Sequence, residues 1–162
     1  MAMAKTISDS VTNLVTSIKK LQARTHAEVV LVSAAMLEEQ VRRVLLTRMR
    51  KLSGEMHKRL FDGYGPLGSF SGKIDLAFAL QAISKEVYDD LTVIRKIRNK
   101  FAHSAAEVNL DSAEIQVFFM EFKSLDKKET DYRAVYLAKL VEIDGHLDRV
   151  INEQPNGSVL TH

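Results

Sequence analysis

The sequence has no cysteine, only two prolines and seven glycines among 162 residues. Without cysteine there is no disulfide and no thiolate metal site, which suits an intracellular protein. With so few helix breakers, long uninterrupted helices are open to the chain. It also lacks an apolar run long enough to span a bilayer. The longest, Val29 to Leu37, is stopped by Glu38 and Glu39. The first ten residues carry one lysine and no apolar stretch, so no signal peptide is read there and a cytoplasmic location is expected, with no membrane contact. What is present is 46% apolar and 27% charged, the composition of a globular domain with a real core.

The net charge of +2 conceals an asymmetry. Through His103 there are 17 Lys and Arg against 10 Asp and Glu; from Ser104 onward there are 6 against 11. A basic part and an acidic part suit an electrostatic partner surface, or self-association with the two apposed.

Hydrophobic spacing predicts helices throughout, with no alternating strand pattern. The first is expected over Ser8 to Ala23, with Val11, Leu14, Val15, Ile18 and Leu21 on one side. Thr25, with Glu28 three residues on, reads as a capping box opening a second helix from His26 to about Met49. Its stripe is Val30, Ala34, Leu37, Val41, Val44 and Leu45. Gly63, Gly65, Pro66, Gly68 and Gly72 then predict a loop. Further helices are expected over Ile74 to Ala82, from Ser84 to near Phe101, from Asp111 or Ser112 through Phe122, and over Thr130 to Asn152. The expected fold is an all-α, up-and-down bundle of five or six helices. It forms one domain over residues 1–153, followed by a flexible tail over 154–162.

One run stands out: "IRKIRNKFAHS", Ile94 to Ser104, with four cations besides its histidine and no acid. Arg98 lies four residues after Ile94 and three before Phe101, on a mostly apolar side, where an unpaired cation is costly. A neutral His103 could take the proton of an RNA 2′-hydroxyl, and Arg98 could hold the phosphate through two N–H groups. Asn99 could orient either group, and Arg95, Lys96 and Lys100 would attract a phosphate backbone. The structural alternative is simple: cations and a histidine near a helix C-terminus are stabilised by the helix dipole. "RNKFAH" resembles the R-x(4–6)-H motif of HEPN domains, all-α and usually dimeric. Many of them are metal-independent ribonucleases; others have lost catalysis and bind ligands. The resemblance implies that Arg98, Asn99 and His103 face a cleft. Arg98 and His103 would be catalytic if the chain is a ribonuclease. Arg95, Arg98, Asn99, Lys100 and His103 would be the binding residues if it is a silent module for RNA or nucleotide phosphate.

"GPLGSFSGK" invites a phosphate-loop reading, but the spacing between Gly68 and Gly72 is too short, Ile74 follows Lys73, and no strand precedes it. The stretch reads instead as a turn, with Ser69 or Ser71 capping the next helix. A helix start at that place could still bind an anion. The longer string "LFDGYGPLGSFSGKIDLAFALQAIS", Leu60 to Ser84, resembles the mannitol operon repressor family. The resemblance implies a helical bundle acting in transcriptional regulation without a recognisable DNA-binding motif. No helix-turn-helix pair stands out in this chain either.

Arg42, Arg43, Arg48, Arg50, Lys51, Lys58 and Arg59 are opposed only by Glu55, so they form either a nucleic-acid surface or a solvated helix end. The latter is favoured, since no aromatic interleaves with them before Phe61. Glu142 and His146 are four apart on a helix, but two ligands are too few for a metal site, and neither metal nor cofactor is expected. The expectation is therefore a homodimeric regulator of the mannitol operon repressor type, acting through a protein partner. Nucleic acid, RNA or DNA, at the basic face and a metal-independent ribonuclease are the alternatives.

Overall fold

The computed structural model describes residues 2–104, 108–123 and 131–153, with side chains from Thr25 onward. Its elements are α1 (Ala2–Arg48), α2 (Gly54–Phe61), α3 (Phe70–Ala79), α4 (Lys85–His103), α5 (Ala113–Phe119) and α6 (Tyr132–Asn152). The described residues contain helices and turns and no strand. The described residues form an all-helical bundle of six helices.

The two helices expected before residue 50 are one. Arg24, Thr25 and His26 are helix-compatible and no glycine or proline interrupts them, so α1 runs on through the expected cap. At about 1.5 Å per residue it is about 70 Å long. The stripe over Ser8 to Ala23 lies outside the described side chains. The short α2 was not expected. Ser53 caps it, accepting from the Met56 N–H at 3.2 Å, and Glu55 lies in its first turn. Ser69, Ser84 and Asp131 cap α3, α4 and α6, accepting from Gly72, Val87 and Ala134 N–H groups. The expected tail over 154–162 and most of the connector before α6 lie outside the described residues.

Helix α1 is the hub: it packs on α3, α4 and α6, while α4 packs on α3, α5 and α6. The whole predicted stripe from Val30 to Leu45 is buried. It meets Leu91, Ile94 and Ile97 of α4 and Tyr136, Ile143 and Leu147 of α6 in one core. Each such side chain contributes on the order of 1.5–3 kcal/mol of hydrophobic stabilisation. In α6 the buried face is narrower than the helix's apolar content. Leu137 and Val141 face solvent, the latter 74% exposed.

Polar pins fix how the helices meet. Lys139 of α6 and Asp90 of α4, each 5% exposed, pair at 3.0 Å, and Lys139 also reaches Glu142 at 2.9 Å. Burial pushes the Asp90 carboxyl above its usual range, against the pull of Lys139. Burial also opposes the Lys139 ammonium, but Glu142 and Asp90 outweigh it and raise its pKa. The Phe122 ring lies 5.7 Å from the same ammonium, adding a cation–π contact. Gln40 of α1 donates to Asp144 and Asp148 of α6, at 3.0 and 3.2 Å. The Tyr136 hydroxyl, pushed up to about 12 by burial, sits 3.1 Å from the Ser33 hydroxyl. Near α5, the Leu110 N–H donates to Nδ1 of His26 at 3.1 Å.

Candidate functional site

The basic run of α4 divides by helical geometry into two faces. Arg95, Arg98 and Asn99 are spaced i, i+3, i+4 and share one side; Lys96 and Lys100, i and i+4, share another. Between them, Ile94, Ile97 and Phe101 enter the core.

On the lysine face, Lys96 pairs with Glu121 at 2.6 Å and Lys100 with Glu114 at 2.7 Å. Both acids come from α5 and the turn after it, so this face is neutralised inside the chain. The arginine face opens on a cleft of about 280 Å³ lined by Glu38 of α1, by Gly68, Ser69, Phe70 and Ser71 at the start of α3, and by Arg95, Arg98 and Asn99. Arg98 Nη1 donates to Asn99 Oδ1 at 3.0 Å. Among the described residues neither arginine forms an ion pair. The one acid among the described residues of the cleft, Glu38, is already matched: Lys73, only 5% exposed, pairs with it at 2.6 Å.

The glycine turn builds the opposite wall. A Cβ on Gly65 would lie 2.5 Å from the carbonyl oxygens of Arg59 and Leu60, and one on Gly68 would fall on the Gly63 carbonyl oxygen. Only glycine lets these stretches of backbone pack so closely. Leu67 N–H donates to the Leu60 carbonyl at 2.8 Å, and Lys73 reaches the Gly68 carbonyl at 3.4 Å. Ser69, the N-cap of α3, accepts from Gly72 N–H at 3.1 Å, and its Oγ is 3.3 Å from that of Ser71. The first N–H groups of α3 have no carbonyl a turn earlier to donate to, and the helix dipole is positive there.

The sequence-predicted residues therefore part company. Arg95, Arg98 and Asn99 share the cleft. Lys100 turns to Glu114. His103, the last residue of α4, is exposed and does not line the cleft. The run is joined instead by Gly68, Ser69 and Ser71, a stretch the sequence ties to a different signature. Only packing of α3 on α4 brings the two together. The second basic cluster is partly consumed as well: Arg42 donates to Glu39 at 2.6 Å and to His57 Nε2 at 2.7 Å. That hydrogen bond from Arg42 lowers the Glu39 pKa. Arg43 donates to Gln40 at 3.2 Å. Near Glu142, His146 meets Arg149, 2.7 Å from its Nδ1. Among the described residues no three His, Asp or Glu side chains converge as a metal would need, and no helix is long and apolar enough to cross a membrane.

The model of the mannitol repressor family matches residues 16–139, a span that holds the glycine turn, the arginine face and the hub helices together. The chain belongs to the mannitol repressor family. The X-ray structure of the MtlR–HPr complex from Escherichia coli aligns with this mannitol repressor family member at a TM-score of 0.51 and 19% identity, covering 83% of this chain and 97% of that one. That likeness is one of fold. No curated protein matches the chain.

Proposed function

We propose that this member of the mannitol repressor family is a transcriptional regulator that acts through protein contacts rather than through a DNA-reading motif of its own, and that its partner is HPr. The observation that carries the proposal is the family match over residues 16–139. The HPr assignment draws on the solved relative, which is a complex with HPr. An apolar surface is available for a protein contact. Met36 of α1 and Val141 of α6, each more than 60% exposed, line a shallow depression that Ser33, Leu37, Leu140 and Asp144 complete, and Val32 of α1 is exposed as well. Large exposed apolar patches commonly mark interaction surfaces.

Titration of the protein with HPr by calorimetry tests this. A saturable complex is expected, weakened by Val141→Asp together with Met36→Asp. Absence of a complex with a folded protein would remove HPr from the proposal. The oligomeric state, which we propose to be a homodimer, is read in the same samples by light scattering. The ribonuclease alternative requires a histidine and an arginine on one phosphate, whereas His103 stands outside the cleft that Arg98 lines. No RNA cleavage is expected in chelator. Cleavage that His103→Ala abolishes would reverse that order of preference.

A further inference from the structure

The cleft between α3 and α4 holds two guanidinium groups, half-buried and side by side, with no carboxylate to meet them among the described residues. Every other cation on α4 that the structure pairs, pairs with an acid. Like charges one turn apart on a helix repel, and partial burial sharpens the repulsion. The one acid in the cleft does not relieve it, because Glu38 is tied to the buried Lys73 at 2.6 Å. A group that brings its own negative charge would.

We propose that this cleft is a binding site for a small phosphomonoester. Three features select that chemistry. Two unmatched cations call for a dianion, and a phosphomonoester carries a charge of about −1.5 to −2 at neutral pH, where a carboxylate carries one. The guanidinium fork donates two parallel N–H groups to a pair of phosphoryl oxygens, which an ammonium cannot imitate. Beside Gly68 and Phe70, the remaining wall offers polar groups: the Ser69 and Ser71 hydroxyls at the start of α3 and the Asn99 amide of α4. The arginine pair carries the argument, and the helix start only completes the ring of donors. The volume, about 280 Å³, lies at the small end of ligand pockets, so the ester's organic body is a few carbons and not a polymer. A nucleic-acid backbone would need a groove and successive contacts along it.

The test is calorimetric titration of the full chain with glycerol 3-phosphate, with glycerol and a 5′-phosphorylated oligothymidylate as parallel arms. Saturable one-to-one binding of glycerol 3-phosphate and none of glycerol is expected. Arg95→Gln and Arg98→Gln should each weaken it by about tenfold or more, the loss of one good charge-assisted contact. Arg98→Lys, which keeps the charge but loses the fork, should weaken it nearly as much. The double variant Lys96→Gln with Lys100→Gln should stay within about twofold, because those cations face α5. In amide NMR spectra, the signals of Ser69 to Ser71 should shift on titration in the wild type and stay in place in Arg98→Gln, whose spectrum also reports whether that variant is folded. The proposal is overturned if the double variant Lys96→Gln with Lys100→Gln loses as much as Arg95→Gln and Arg98→Gln, if only the oligonucleotide binds, or if no saturable binding appears at millimolar ester.

Discussion

Two faces of one helix carry the same charge and end in opposite situations. On α4, Lys96 and Lys100 are answered by Glu121 and Glu114, while Arg95 and Arg98, one or two residues away in sequence, face a cleft whose one acid among the described residues is spent on Lys73. A run of cations therefore does not mark a site. What marks one is the set of cations that the rest of the fold leaves unanswered in a concave place. The choice of residue agrees with this division: flexible ammonium groups serve the surface pairs, and planar guanidinium groups line the cleft.

The largest effect on this arrangement should come from its anchor. Asp90 and Lys139 hold α4 against α6 and so set which way each face points. Asp90→Ala takes the buried carboxylate away from the buried Lys139 ammonium, and should cost about 3–5 kcal/mol. In a chain of this size that lowers the midpoint of thermal unfolding by roughly 6–20 °C. Replacing both partners with apolar residues, Asp90→Leu with Lys139→Met, should recover most of it. If the single and double variants are equally unstable, the pair is not what holds the two helices.

Next in size is a break on the arginine side alone. Gly68→Ala drives a methyl group into the Gly63 carbonyl, and overpacking of this kind costs about 1–3 kcal/mol. The wall of the cleft should move, and phosphomonoester binding should be lost while circular dichroism stays helical. Gly54→Ala, which meets nothing within 4 Å, should leave both unchanged. Normal binding by the Gly68→Ala variant would separate the glycine turn from the site.

The lysine side can be loosened by pH. His26 accepts from Leu110 N–H just before α5, the helix that brings Glu114. Burial holds its pKa below the ordinary 6.5; Asp111 and Asp131 oppose this and Arg133 adds to it. The neutral ring is the form that folding favours. Its contribution is thus present above the unfolded pKa and is lost as the pH falls through the lowered folded value. Stability should decline on acidification across that window, and His26→Ala should be less stable by about 1 kcal/mol with a flatter profile. An unchanged pH slope in the variant would mean that other groups set the acid limit.

The smallest effects belong to the lysine pairs themselves. Lys96→Ala and Lys100→Ala should each change stability by no more than about 0.5 kcal/mol, since exposed pairs contribute little. Glu114→Gln with Glu121→Gln sharpens the comparison most directly, because it leaves the lysines as unanswered as the arginines. If concavity matters as well as charge, no second phosphomonoester site appears. A new saturable site on that face would show that missing acids alone suffice.

The buried stripe from Val30 to Leu45, the caps at Ser69 and Ser84, and the all-helical class were legible in residue spacing, because a 3.6-residue period and a hydroxyl at a helix start are local signals. The merger of the first two helices was not legible, since a capping pattern at Thr25 costs nothing when the helix runs through it. The short α2 was missed although Ser53 and Glu55 announce it. In α6, apolar Leu137 and Val141 stand in solvent, because helical spacing gives a face and not how wide a strip of it the neighbours cover. The candidate cleft was half legible. Arg95, Arg98 and Asn99 were singled out together with Lys100 and His103, which the cleft excludes.

By itself, then, the sequence determined that the chain would be helical, cysteine-free and basic along α4, because those properties depend on residues near one another in the chain. Which of those basic residues would be neutralised and which left facing a cavity was decided by tertiary structure alone. Electrostatic pairing acts over a few ångströms in space, and Arg98, Ser69 and Glu38 come within that range only when α3, α4 and α1 pack together.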